Sequence, residues 1–242
     1  DRKQRVVIGG KYSDWTEVVS GVPQGSVLGP LLFLIFINDI DEAVKLIDLI
    51  KKFADDTKAA QGMRTDADRI KLQKALDQLC AWADKWDMEF NIDKCQVLHI
   101  GRNNPQHSYS MKGQILSNTD SEKDIGVWIT NSLKPSTQCR EAYRVASAML
   151  NNISKAFHFR DRHVFVRLYK TYVRVHLEFS TPVWNPWLKT DIELLEKVQI
   201  RAVNMISGLQ GNTYESRLKE LKLQTLEDRR TRFDVIQVYK IL

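Results

Sequence analysis

Residues 21–58 read GVPQGSVLGPLLFLIFINDIDEAVKLIDLIKKFADDTK: a loop punctuated by glycine, an apolar run, and then two adjacent acids. Gly21, Gly25 and Gly29 leave a backbone with few side chains in the way, which suits a turn or a close approach to a ligand. Pro23 and Pro30 stiffen the same loop, and Pro30 suits a helix start, where its missing N–H costs nothing. Leu31 to Ile40 stays apolar as far as Asn38-Asp39 and reads as a buried helix, although a buried strand has the same pattern. Lys52 to Lys58, KFADDTK, then sets Asp55 and Asp56 side by side between apolar segments. Neighbouring carboxylates repel, so they need compensation, from solvent at a turn or from a divalent cation. An ordinary acidic turn accounts for a lone Asp-Asp, whereas a strand-turn-strand with hard oxygen ligands at its tip would serve magnesium.

The combination separates these alternatives. GVPQGSVLGPLLFLIFINDI followed at short range by FADD resembles the palm motifs of reverse transcriptases encoded by non-LTR (LINE-like) retrotransposons. The resemblance implies that the first segment faces the template and the incoming nucleotide, and that FADD is the metal turn. On that basis Asp55 is the main ligand of magnesium and Asp56 a weaker or outer partner, in a complete enzyme that works with two ions. Pro23, Gln24 and Gly25 would lie near the template base and incoming sugar, with Gln24 the polar contact because its amide both donates and accepts. Phe53 would pack beside the substrate and exclude bulk at the ribose 2′ position. NIDKCQVLHIG (residues 91–101) resembles the next palm motif, whose lysine lies near the nucleotide phosphates and gives a proton to pyrophosphate; the matching residue is Lys94. Lys123 to Ile129, KDIGVWI, reads as a compact strand and resembles the primer-grip hairpin, with Trp128 either packed beneath it or touching the primer.

Composition sets wider bounds. The 242 residues, 43% hydrophobic and 27% charged, are enough for a sizeable core in one large or two small domains. A formal charge of +6 permits nucleic acid as a partner without requiring it. Cys80, Cys95 and Cys139 are far apart and odd in number, which argues against a disulfide framework or zinc spacing and for a reducing compartment. The apolar run after Pro30 stops at Asn38, too short to span a bilayer. The expectation is therefore an intracellular chain, nuclear or cytoplasmic, neither secreted nor membrane-bound. It opens on DRKQRVVIGG, almost directly in a strand, as an excerpt of a longer protein would.

Around the central stretch the pattern alternates between sheet and helix. Gln4 to Ile8 and Trp15 to Ser20 read as a hairpin feeding the glycine loop. Ala43, Leu46, Ile47 and Ile50 recur at helical spacing, in a segment that could equally end as the first strand of the acidic hairpin, with Thr57 to Ala60 returning. Ala67 to Trp86 is an amphipathic helix with Leu72, Ala75, Leu79 and Ala83 on one face, and its tryptophans read as core. Tyr109 to Leu116 suggests a strand or hairpin. From Lys134 onward helices take over: Thr137 to Phe157, Asp161 to Val175, Asp191 to Ile206, Tyr214 to Leu221, and a last one capped by Thr225 and Asp228. Segments such as LYKTYVRVHLEFSTPVWNPW resemble the thumb and following region of the same enzymes. Those relatives carry proline where Val175 stands, so a helix kink is expected to relax.

The expected fold is α+β: a partial polymerase palm, an antiparallel sheet with packed helices over residues 1–133, followed by a helical thumb bundle over 134–242. Lys155, Arg160, Arg162, Arg167, Lys170 and Arg174 are the candidate contacts to a nucleic-acid backbone, set against the plainer reading of solvated helix faces. Asp14, Asp39 and Asp41 stand in the wrong order to supply the third aspartate typical of the family. The chain alone is thus expected to lack the polymerase activity of its parent, whose partners would be an RNA template and a DNA primer. The alternative is a retrotransposon-derived nucleic-acid- or protein-binding protein without catalysis. An uncovered palm edge would invite a second chain or self-association.

Overall fold

Residues on either side of Gly9-Gly10 fold back on one another in the computed structural model, which describes residues 2–19, 21, 25–157 and 161–242. β1 (Lys3–Gln4) pairs with β4 (Thr16–Glu17), and β2 (Val7–Ile8) with β3 (Lys11–Tyr12), all antiparallel. Gln4 faces Thr16 while Val7 faces Tyr12, so residues 13–15 oppose only residues 5–6, one extra residue that bulges the ribbon. The expected hairpin is therefore present, with a bend in its middle.

The chain folds into two compact units, Asp1–Val97 with Pro105–Ser117, and Leu98–Asn104 with Asn118–Leu242. In the first, α1 (Leu28–Phe36) begins where the Ser26 hydroxyl accepts the Gly29 N–H at 3.0 Å. This is the helix expected from the apolar run, but within it Gly29 alone is buried, and the expected apolar burial starts just past its end. Ile37 and Ile40 are buried, whereas Leu28, Leu31, Leu32, Leu34 and Ile35 are exposed, because the described residues lay no element over that face. After α2 (Ile40–Ala43) come β5 (Leu49–Phe53) and β6 (Asp56–Ala60), an antiparallel hairpin, so residues 49–53 take the strand alternative rather than the helix. α3 (Asp66–Lys85) packs Ala75, Leu79, Trp82 and Ala83 against Ile37, Ile40 and Val44. Trp82 donates its indole N–H to Asp39 Oδ1 at 3.0 Å, and the Phe36 ring meets Trp82 and Trp86 edge-on. The chain leaves this unit through β7 (Gln96–Leu98) and returns to it for β8 (Ser110–Met111) and β9 (Gln114–Ile115). The Gln73 amide exchanges hydrogen bonds with the backbone of Ser110 at 2.8 and 3.1 Å, fastening that hairpin to α3.

The second unit takes in residues 98–104, resumes at Asn118 within β10 (Ser117–Thr119), and continues with β11 (Ser121–Asp124) and β12 (Val127–Thr130). Residues 123–129 thus span a hairpin, as the resemblance to the primer grip implied, where the residue pattern alone read as one compact strand. Ile125 at φ +45° and Gly126 at φ +86° take the two left-handed positions of a type I′ turn. The helices are α4 (Ser136–Ala156), α5 (Arg162–Leu168), α6 (Arg174–Glu178), α7 (Thr181–Trp184), α8 (Lys189–Asn204), α9 (Tyr214–Leu221) and α10 (Leu226–Ile241). They surround a core in which Ala146, Leu150, Val173, Leu195, Val198 and Leu226 are almost fully buried. Gln199, also fully buried, is satisfied from four sides: it accepts from the Tyr169 hydroxyl and bonds through Nε2 to Glu196, Tyr214 and the Gln224 carbonyl. Between α5 and α6 the residues Tyr169–Val173 form a π turn. The helix therefore keeps an irregularity, a widened turn just before Val175, where a relaxed kink was expected.

The architecture is a mixed α+β region of small antiparallel sheets with packed helices, followed by a helical bundle, the order of a polymerase palm and thumb. Among the described residues no helix is long and apolar enough to cross a membrane, and Cys80, Cys95 and Cys139 are all free.

Candidate active site

Strand alternation decides which way the acidic hairpin faces. Ile50 and Lys52 of β5 stand opposite Ala59 and Thr57 of β6, and these four are the half-buried face. Phe53 stands opposite Asp56 on the other, exposed face. Ala54 and Asp55 are left as a two-residue turn, with Ala54 at φ +51°. A positive φ at the first central residue is the geometry of a type II′ turn, which matches the twist of the flanking strands. Asp55 therefore sits at the tip of the hairpin and Asp56 immediately after it. Both are exposed, and neither meets a cationic side chain among the described residues. Among the described residues no cation compensates two acids held this close, a role open to water or a metal ion.

Lys52 fixes the hairpin in place. Its ammonium donates to the carbonyls of Ile37 (3.2 Å) and Asn38 (2.9 Å), which close α1, and pairs with Asp41 at 3.1 Å. A cation at a helix C-terminus satisfies orphan carbonyls and meets the negative end of the helix dipole. The glycine-rich segment and the acidic turn are thereby joined through the far end of α1. Reading the motif by its acids passes over Lys52; the signal for it was available in the alternation, which puts a charged residue on the same face as Ile50.

The remaining candidates are spread more widely. Gly25 is exposed at φ +78°, a conformation that only glycine adopts freely, while Pro23 and Gln24 lie outside the described residues. Lys94 ends a 3₁₀ turn, Ile92–Lys94, whose entry is capped by the Asn91 side chain. Its side chain is exposed, with no ion-pair partner among the described residues. In the helical unit Lys155 and Arg167 are exposed and Lys170 is half-buried. Arg160 lies outside the described residues. Arg162 pairs with Glu220 at 3.0 Å. Arg174 pairs with Glu178 at 3.5 Å, and Glu178 also takes the guanidinium of Arg229. Burial pulls Arg174 below its ordinary value. Arg162 and Arg174 thus spend their charge within the protein, and a phosphate there would compete with a carboxylate already in place.

Asp55 and Asp56 fit part of a magnesium site, being hard, exposed oxygen ligands on a rigid turn. No group of three or more His, Cys, Asp or Glu side chains among the described residues is arranged to hold a metal.

Residues 6–129, about half of the chain, match the family described as reverse transcriptase (RNA-dependent DNA polymerase). The chain is 26% identical over 219 residues to the RNA-directed DNA polymerase from mobile element jockey of Drosophila melanogaster, covering 86% of this chain and 24% of that protein. The polymerase from the same element of Drosophila funebris is 29% identical over 222 residues, with 86% and 24% covered. The probable RNA-directed DNA polymerase from transposon BS of Drosophila melanogaster is 26% identical over 254 residues, with 96% and 27% covered. The chain spans about a quarter of the length of the curated relatives it matches. No solved structure matches it.

Proposed function

The chain belongs to the reverse transcriptase family, and on that premise we propose that its Asp55-Asp56 turn is the metal-holding part of a nucleotidyl-transfer site belonging to a longer RNA-directed DNA polymerase. One observation carries the reading: both acids stand exposed, with no cationic partner among the described residues, at the tip of a tight hairpin that Lys52 ties to the helix following the glycine-rich segment.

In the reaction the primer 3′-oxygen bonds to the α-phosphorus of the incoming nucleotide, its proton leaves, and the bond to pyrophosphate breaks. Asp55 would hold magnesium most directly, with Asp56 beside it, and a third carboxylate would come from outside residues 1–242. The bound ions supply charge neutralisation at the phosphoryl oxygens and favour the ionised hydroxyl. Phe53, exposed on the same face as Asp56, would limit the space beside the sugar. Lys94, with its ammonium in solvent, would donate the proton that pyrophosphate takes up. Gly25, with Pro23 and Gln24, would line the template side. Lys155, Arg167 and Lys170, and in competition with their carboxylates Arg162 and Arg174, would meet phosphates of the RNA template and DNA primer, as would Arg160. The free cysteines suit a reducing compartment, nuclear or cytoplasmic. The exposed apolar face of α1 is a surface for further protein, a second chain or a second copy, to cover.

Magnesium-dependent primer extension on an RNA template tests this. A longer polymerase containing the chain should incorporate nucleotides, and Asp55→Asn within it should lower the rate by about a hundredfold or more, equivalent to about 3 kcal/mol of lost charge stabilisation. Residues 1–242 alone should incorporate none. Incorporation by residues 1–242 would refute the need for an outside carboxylate, and full activity of the Asp55→Asn polymerase would refute the site. Salt-sensitive nucleic-acid binding by a longer protein that never incorporates would favour a binding role without catalysis.

A further inference from the structure

Phe53 has little packing to hold its ring. It is 58% exposed and joins no hydrophobic cluster and no ring pair among the described residues. A side chain that limits the space beside one atom of a substrate works only if its position is held closely. Where packing does not hold the ring, the backbone beneath it must.

Among the described residues the β5–β6 hairpin is fastened at three levels. At its open end the Asp48 carboxylate accepts from the Gly62 N–H at 2.8 Å and from the Gln61 amide at 3.0 Å. Midway, Ile50 packs against the cluster that contains Ile37, Ile40 and Val44. Nearest the tip stands Lys52. An ammonium has three donors, and here they meet three acceptors, the carbonyls of Ile37 and Asn38 and Asp41 Oδ1. The Lys52 side chain is only 18% exposed, so water competes little for these bonds, whereas Asp41 is half exposed and holds less firmly. The two carbonyls belong to a fixed part of the fold: Ile37 and Ile40 are buried, and Asp39 between them accepts the Trp82 indole N–H. Beyond Lys52 the tip has only the pairing of Phe53 with Asp56, because the buried Thr57 hydroxyl opposite Lys52 has no partner. Successive side chains of a strand point to opposite faces, so pinning Lys52 from one face sets where Phe53 stands on the other.

We propose that Lys52 is a specificity-determining positioning residue: by anchoring the hairpin to the end of α1 it sets how far Phe53 reaches beside the sugar, and so how strongly the site rejects a ribonucleotide. This rests on the reading of Asp55-Asp56 as the metal turn and of Phe53 as the limit beside the sugar. Lys52 touches no substrate in this role. With its donors used within the protein, it has none left to give a proton or hold a phosphate.

The test is the ratio of kcat/KM for a deoxynucleotide to that for the matching ribonucleotide, in a longer polymerase containing residues 1–242. A variant that merely unfolds a share of the molecules lowers both values by one factor and leaves the ratio alone, whereas a displaced ring changes it. Lys52→Met keeps a long side chain but removes all three donors, and should lower the ratio by about tenfold, the size of one misfitted pocket contact. Lys52→Arg, which keeps the charge and N–H donors, should restore most of the ratio. Asp41→Asn, which leaves both carbonyls in place, should lower it less than Lys52→Met does. Lys74→Met, at an exposed position on α3, should leave it native. In residues 1–242 without metal or nucleotide, Lys52→Met should quicken hydrogen exchange at the amides of residues 53–57 and leave α3 unchanged. If Lys52→Met does not fold, Lys52→Gln, with two donors on a shorter stem, carries the test, a lowered ratio supporting the proposal and a native one overturning it. A native ratio in Lys52→Met beside a lowered one in Phe53→Ala would overturn the proposal and leave the site reading intact, and native hydrogen exchange at residues 53–57 in Lys52→Met would overturn it as well. An unchanged ratio in Phe53→Ala would overturn the role of Phe53 and the proposal together, and a fully active Asp55→Asn polymerase would overturn the metal turn beneath both.

Discussion

Gly126 turns the β11–β12 hairpin at φ +86°, and a Cβ built there would stand 3.0 Å from Cε1 of Phe179. Gly126→Ala should therefore destabilise the helical unit by about 1–2 kcal/mol from the left-handed backbone alone, before any cost of moving the phenyl ring. Urea unfolding reads this directly, and an unchanged midpoint would show that the turn finds another geometry. The same scale shows where sequence stops informing. Asp55 and Asp56 could be read as a turn because two acids between apolar runs have few other places to go. The ion pair of Arg162 could not, because its partner Glu220 lies 58 residues away and on a different helix. Arg174 was more accessible, since Glu178 follows it at helical spacing.

Among the elements, α3 shows how a helix is fixed at its start. The Thr65 hydroxyl donates to Asp68 Oδ2 at 2.9 Å, and the backbone N–H groups of Arg64 and Thr65 donate to the same oxygen at 3.0 and 2.8 Å. These bonds, the Thr65 hydroxyl first, lower the Asp68 carboxyl from 3.8 to about 2. A lowered carboxyl stabilises the folded state fully above its ordinary value and loses that contribution as pH falls through the folded one. The stability difference between the native chain and Asp68→Asn should hold constant above pH 4 and shrink towards pH 2; a difference independent of pH would contradict the capping role. Helices such as α3, α4 and α8 were legible because a long 3.6-residue stripe has one solution. The turn at Ile125-Gly126 was not, since a short apolar run fits a single strand as well as a hairpin. Nor was the exposure of α1: an apolar run reports that a face wants covering, and the covering element need not lie in the same stretch of chain.

For the whole molecule, the order of α+β region and helical bundle followed from the order of patterns, and the family match over residues 6–129 covers the first of the two. Chemistry at this scale depends on whether the acidic turn takes up a divalent ion in the folded chain. Manganese stands in for magnesium and broadens the NMR signals of nearby nuclei. Titrated into residues 1–242, it should broaden the amides of residues 53–57 first, and Asp55→Asn should remove that selectivity. Broadening centred elsewhere, or identical in the native and Asp55→Asn proteins, would contradict the assignment of Asp55 and Asp56 as metal ligands.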